Sequence, residues 1–143
     1  MKAAFLYNFA AFTDWPADVG RALNVCLFGG NPFGPVIDAI NGKTVGGRIV
    51  ALQRNVNTDT VAGCQVVFVP AAVNAQLPAV LQTVRSLPVL VVAESAGAAG
   101  QGATINMSVI QNRVVFEANL GAARHARLGL NARLLRLATE VIQ

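Results

Sequence analysis

The sequence predicts an α/β fold with three layers: a mostly parallel sheet of about six strands, helices on both faces, and an antiparallel hairpin near the C-terminus. Three observations lead there. Short Val-rich runs such as Cys64–Pro70 and Pro88–Ala93 alternate with stretches of helical spacing, and right-handed crossovers between such strands make neighbours parallel. Gly and Pro mark almost every change of pattern. Two β-type runs, Thr104–Ile110 and Arg113–Asn119, are separated only by Gln111 and Asn112, the spacing of a tight hairpin.

In chain order, the first element is a helix. Phe5, Phe9 and Phe12 fall at i, i+4 and i+7 with Leu6 alongside, one wide apolar stripe. Pro16 stops it, because a residue before proline avoids the α region. Leu23–Phe28 is the first strand, closed by Gly29-Gly30. The loop Asn31–Gly34 opens a short helix at Pro35–Ile40, with Gly42 beyond its end. Arg48–Arg54 is the second strand and Cys64–Pro70 the third. A helix over 73–86 turns Leu77, Val80, Leu81 and Val84 inward, and Pro88–Ala93 is a fourth strand, Val-dense as central parallel strands are. The Ala/Gly-rich stretch Ser95–Gly102 reads as a flexible connection into the hairpin. A short helix over Leu120–Arg127 ends at Gly129, and a final helix starts near Asn131, with Leu130 and Leu135 placed to staple its cap.

No internal repeat or second domain is visible, so residues 1–143 read as one domain. A chain of this length removes roughly 70% of its unfolded surface from water. Its 54% hydrophobic content is rich in Ala and Val, which suits close helix-on-sheet packing. No uninterrupted apolar run reaches the ~18 residues of a membrane span. The net charge of +4 and pI near 9.8 raise nucleic acid as a partner. There is no Lys/Arg block with interleaved aromatics and no nucleic-acid motif, so that class is set aside. Lys2 and the apolar residues after it superficially resemble a secretion signal, but Asn8 interrupts the run and no small-x-small site follows before Asp14. Met1–Thr13 therefore reads as mature sequence, with any leader lying upstream.

The chemistry-bearing residues are sparse. Gly29–Gly34 follows the first strand and opens a helix, where α/β folds bind phosphate. Asn31 replaces the middle glycine of the dinucleotide fingerprint, and Arg54-Asn55 stand where its acidic residue belongs. A tight turn is the plainer reading; an anion site built on Gly29, Gly30 and Asn31 with Arg48 is the other. Cys26 and Cys64 with one His are too few for structural zinc, so they are either buried thiols or one disulfide. A bridge would close a loop of about forty residues, worth on the order of 3–4.5 kcal/mol. His125 sits between Arg124 and Arg127 as a surface group. No nucleophile elbow and no paired carboxylates stand out among the seven acidic residues, so no catalytic, metal or cofactor residue is expected. Arg133 and Arg136 belong to a solvated helix face or to a basic patch facing an acidic partner; Arg136 and Glu140 have the spacing of a weak pair.

The opening helix has aromatics on two faces, since Tyr7 lies off the Phe stripe and Trp15 just beyond it. A helix buried against both its own sheet and another chain looks like this. Phe5, Tyr7, Phe9, Phe12 and Trp15 are therefore candidate contacts with a partner or a second copy.

Taken in order, Lys2-Ala-Ala-Phe-Leu-Tyr-Asn-Phe9, Phe12-Thr-Asp-Trp-Pro16, CLFGGNPFG, Gly47-Arg48, Cys64-Gln-Val-Val-Phe68, INM, Arg113-Val-Val-Phe-Glu-Ala-Asn119 and LNARLLRLA resemble the YfiR-like proteins from Lys2 to about Val141. The resemblance implies a periplasmic, non-enzymatic, homodimeric regulator. It would repress a membrane-bound diguanylate cyclase through that enzyme's periplasmic sensor region, and an outer-membrane lipoprotein could sequester it. By the same resemblance Cys26 and Cys64 are candidates for one disulfide. Relatives often carry a His where Gln65 stands here, and any second disulfide is missing. The alternative function is a small-ligand sensor that uses the Gly29–Gly34 turn and Arg48.

Overall fold

The computed structural model describes residues 2–143. Ten strands and five α-helices are numbered here in chain order. Helix α1 (Lys2–Ala11) leads to β1 (Thr13–Asp14) and β2 (Ala22–Phe28), followed by a 3-10 segment at Gly34–Ile40, β3 (Thr44–Val45) and β4 (Arg48–Val56). Next come β5 (Val66–Val69), a 3-10 segment at Ala71–Gln76, α2 (Leu77–Thr83), β6 (Leu90–Ala93) and α3 (Ala98–Gln101). The chain finishes with β7 (Ile105–Ile110), β8 (Arg113–Asn119), α4 (Leu120–His125), β9 (Gly129–Leu130), α5 (Ala132–Leu137) and β10 (Glu140–Ile142).

The main sheet runs β10-β8-β7-β6-β5-β2-β4-β3. Its neighbours are parallel except at β7–β8 and β3–β4. The mostly parallel α/β sheet and its late hairpin agree with the sequence. Both faces of the central strands are buried, and the period of two divides them cleanly. Leu23, Val25 and Leu27 of β2, Val66 and Phe68 of β5, and Leu90 and Val92 of β6 join one core with α1. Cys26, Phe28, Val67, Val69, Val91 and Ala93 join the other with Leu77 and Val80 of α2. Strands buried on two sides have no polar face to show, hence the unbroken apolar runs.

Several elements differ from expectation, each for a local reason. The sheet has eight strands rather than about six. Gly46, at φ 59°, allows β3 to fold back on β4, and β10 is added because the last helix ends early. Ala138 is extended (φ −69°, ψ 141°), and Thr139 donates both its N–H and its hydroxyl to the Phe116 carbonyl, at 2.8 and 3.0 Å. Glu140 therefore starts a strand and is not the helical partner of Arg136. The helix expected over 73–86 splits at Val73 (φ −120°, ψ 25°), and its α-helical part begins at Leu77, where Pro78 occupies an early position. The expected helix at Pro35–Ile40 is a 3-10 segment. The stretch at Ser95–Gly102, read as flexible, contains α3, whose Ala98 and Ala99 are buried.

Cys26 and Cys64 are bonded, with Cα atoms 6.1 Å apart. The bridge ties β2 to the residues entering β5 and lies inside the second core, where both cysteines are at most 3% exposed.

Candidate functional site

Helix α1 lies on the sheet through Ala3, Leu6, Phe9 and Ala10. Small alanines let the helix approach closely, and this rotates its inward face away from the Phe5–Phe9–Phe12 stripe. Phe9 is fully buried, edge-on to Phe116 at 5.0 Å and to Phe5 at 6.1 Å. That corrects its candidacy as a partner contact: a side chain with no exposed surface touches only its own core. Tyr7 and Trp15, expected to reach outward, bond their polar ends to their own chain. The Tyr7 hydroxyl donates to the Thr44 carbonyl at 2.7 Å, with the Lys43 ammonium over its ring at 5.1 Å. Trp15 Nε1–H donates to the Ala10 carbonyl at 3.1 Å, satisfying a helix-end acceptor. Phe5, Tyr7, Phe12 and Trp15 all keep part of their surface at the exterior.

The Gly29–Asn31 turn and Arg48 do not meet. In the parallel register Ala22 lies opposite Ile49 and Phe28 opposite Val56, so Gly29 follows the C-terminal end of β2 while Arg48 stands beside its N-terminal end. Arg48 donates to the Gly20 and Pro16 carbonyls at 2.8 and 3.1 Å, pinning the loop before β2. The turn does sit where strand order reverses, between β2 and β5, the usual ligand position in such sheets. There the space is taken. A Cβ on Gly29 would lie 3.1 Å from Val73, Phe33 packs on Phe68 at 4.9 Å, and Asn31 bonds to Phe33 N–H and the Gly34 carbonyl of its own loop. Arg133 and Arg136 are exposed, with no acidic partner among the described residues.

The surface that stands out was not named from the sequence. Strand β7 pairs with β6 only at Ile105 and Asn106, and β8 pairs with β10 only from Glu117 to Asn119. The hairpin continues past both, pairing with itself from Met107–Phe116 to Ile110–Arg113. Its distal half is a two-stranded arm. Gln111 and Asn112 both have positive φ, 52° and 63°, as the two-residue turn of a right-twisted hairpin requires. Val109 and Ile110 near the tip are 49% and 57% exposed, and Leu137 at the end of α5 is 66% exposed. With Phe5, Val114 and Thr139 they line an open groove of about 1180 Å³. Exposed apolar side chains beside unpaired strand edges are a surface that associates unless covered. The signal available in the sequence was Val109-Ile110 next to the turn, where a solvated hairpin tip would carry polar residues.

Polar side chains, buried Asn106 at their centre, hold the root of this arm. Asn106 is 7% exposed; its Oδ1 accepts the Ser95 N–H at 3.1 Å, and its Nδ2 donates to the Ser95 carbonyl at 2.8 Å and to Glu117 at 3.4 Å. Asn119 donates to the Ala99 carbonyl at 2.8 Å and caps α4 by accepting the Ala122 N–H at 2.9 Å. Lys2 pairs with Glu94 beside them, tying the start of α1 to the end of β6. Asn106→Ala removes both bonds to the half-buried Ser95 peptide group and should cost about 1–2 kcal/mol. Chemical denaturation checks this: the midpoint falls while the slope holds.

A family model described as YfiR/HmsC-like matches residues 1–139. The chain belongs to the YfiR/HmsC-like family. The INM and RVVFEAN segments that suggested the resemblance now have a visible task in this family member, since Asn106, Glu117 and Asn119 anchor the hairpin. A conserved domain protein of known structure from Vibrio cholerae O1 biovar eltor str. N16961 has the same fold, with a TM-score of 0.60 and 10% identity, covering 82% of this chain. This chain spans only 54% of that protein's length. No curated protein matches. No helix among the described residues is long and apolar enough to cross a membrane.

Proposed function

We propose that this protein represses a membrane-bound diguanylate cyclase by direct contact with the cyclase's periplasmic sensor region, lowering cyclic-di-GMP signalling, and that the β7–β8 arm is the contacting element. The observation that carries this is the overhang: Val109 and Ile110 stand exposed on an arm whose two outer edges lack strand partners, with Phe5 and Leu137 beside it. The buried core of an interface is more apolar than the surface around it, and a few residues dominate its energy. Phe12 and Trp15, half-buried at the other end of α1, fit the second contact of a homodimer. An outer-membrane lipoprotein competing for the arm would relieve the repression.

Ile110→Asp and Leu137→Asp test the contact. Both residues are exposed, so stability should stay within about 0.5 kcal/mol of the parent. Loss of an anchor costs about 2 kcal/mol or more of binding, roughly thirtyfold in Kd. Co-purification of the cyclase sensor region should be lost with each variant; retained capture by both would exclude the arm as the contact.

A further inference from the structure

A second cleft, of about 610 Å³, opens on another part of the molecule between α2 and α4. Its floor is apolar: Val84, Val89 and Val91 are 3–5% exposed, and Leu81 closes one side over Gly102. The rim is polar and carries only one sign of charge. Gln82, Arg85, Gln101 and His125 line it, and no carboxylate does. All four side chains are exposed and make no hydrogen bond or ion pair within the described residues, so they are free to turn toward a ligand. Deeper in, Thr104 is 2% exposed. Its Oγ1 accepts the Val91 N–H at 3.3 Å, while its own O–H has no acceptor among the described residues.

We propose that this cleft binds a small molecule with an apolar body and a carboxylate head. The volume lies in the range of small-molecule sites, and an apolar floor with a few convergent polar groups is their usual make-up. Each rim group can donate: a guanidinium, an imidazole N–H and two amide N–H₂ groups, with a buried hydroxyl below them; the amide oxygens can turn to water. With no carboxylate on the rim, a ligand carboxylate meets only partners able to donate to it, and Arg85 can take it with two parallel N–H bonds. This site is separate from the hairpin arm and does not depend on the cyclase reading. It also moves the small-ligand idea away from the Gly29 turn, where the space is filled.

The test is a titration of the full chain with phenylbutyrate, phenylbutanol and butyrate, followed by amide NMR. Phenylbutyrate should shift the amides of Leu81–Arg85, Gln101–Thr104 and Ala122–Ala126 saturably. Phenylbutanol, with the ring but no charge, should bind about tenfold more weakly, as should butyrate, with the charge but no ring. Arg85→Gln, at an exposed position, should weaken the acid about tenfold and leave the alcohol unchanged. Ala122→Leu, which fills the mouth without touching the cations, should weaken both. Phenylbutyrate failing to saturate below about 10 mM at these amides would overturn the proposal. So would equal affinity for acid and alcohol, or an Arg85→Gln variant that binds the acid like the parent.

Discussion

Phe9→Ala lowers the stability of the fold by about 3–5 kcal/mol, the range for removing a large aromatic from a packed core. Phe9 is completely buried and stands edge-on between Phe5 and Phe116, so its loss opens a cavity and removes an aromatic pair worth about 1 kcal/mol more. The consequence spreads beyond α1, because Phe116 sits on β8 at the root of the arm and its carbonyl holds Thr139 in place before β10. Urea denaturation reads the loss directly. A drop below about 1 kcal/mol would mean that α1 is not part of the core.

Removal of the Cys26–Cys64 bridge has an effect of similar size by a different route. The bond spans 38 residues of sequence, and in the chain-entropy view closing such a loop stabilises by about 4 kcal/mol, through the unfolded state. For a domain of this size that corresponds to a fall in Tm of roughly 10–15 °C in reducing buffer or in the Cys26→Ala/Cys64→Ala variant. Either single variant leaves a buried thiol, 1% exposed for Cys26 and 3% for Cys64, inert toward reagents until the chain opens. Identical melting with and without reductant would contradict the structure at this point. The folded contacts of β2 with β4 and β5 survive reduction, so the predicted change is in stability and not in fold.

What the sequence could tell followed the range of the physics involved. Central strands were readable because burial on both faces leaves continuous apolar runs, as in Val66–Val69 and Leu90–Ala93. The hairpin was readable from the two residues between its strands. Helix α1 was readable as a helix, but not its inward face: Phe5, Phe9 and Phe12 have the right spacing, yet Ala3 and Ala10 let the backbone come closer along a neighbouring line. Pro78 was a visible reason to begin the second helix late. Arg48 could not be placed, because its distance from Gly29 is set by the parallel register of β2 and β4, a long-range quantity. The overhang of the arm was hidden for the same reason. It arises because β6 and β10 are shorter than the hairpin they flank, and no local pattern reports a mismatch between distant segments.

Hydrogen exchange on the protein with and without the cyclase's periplasmic sensor region tests the contact itself. Amides on the free edges of Ser108–Val115 should exchange quickly alone and slow by at least tenfold in the complex, while the already protected amides of β2 and β5 change little. Binding that leaves the arm exchanging as before, with protection appearing elsewhere on the surface, would contradict the assignment of this hairpin as the contact.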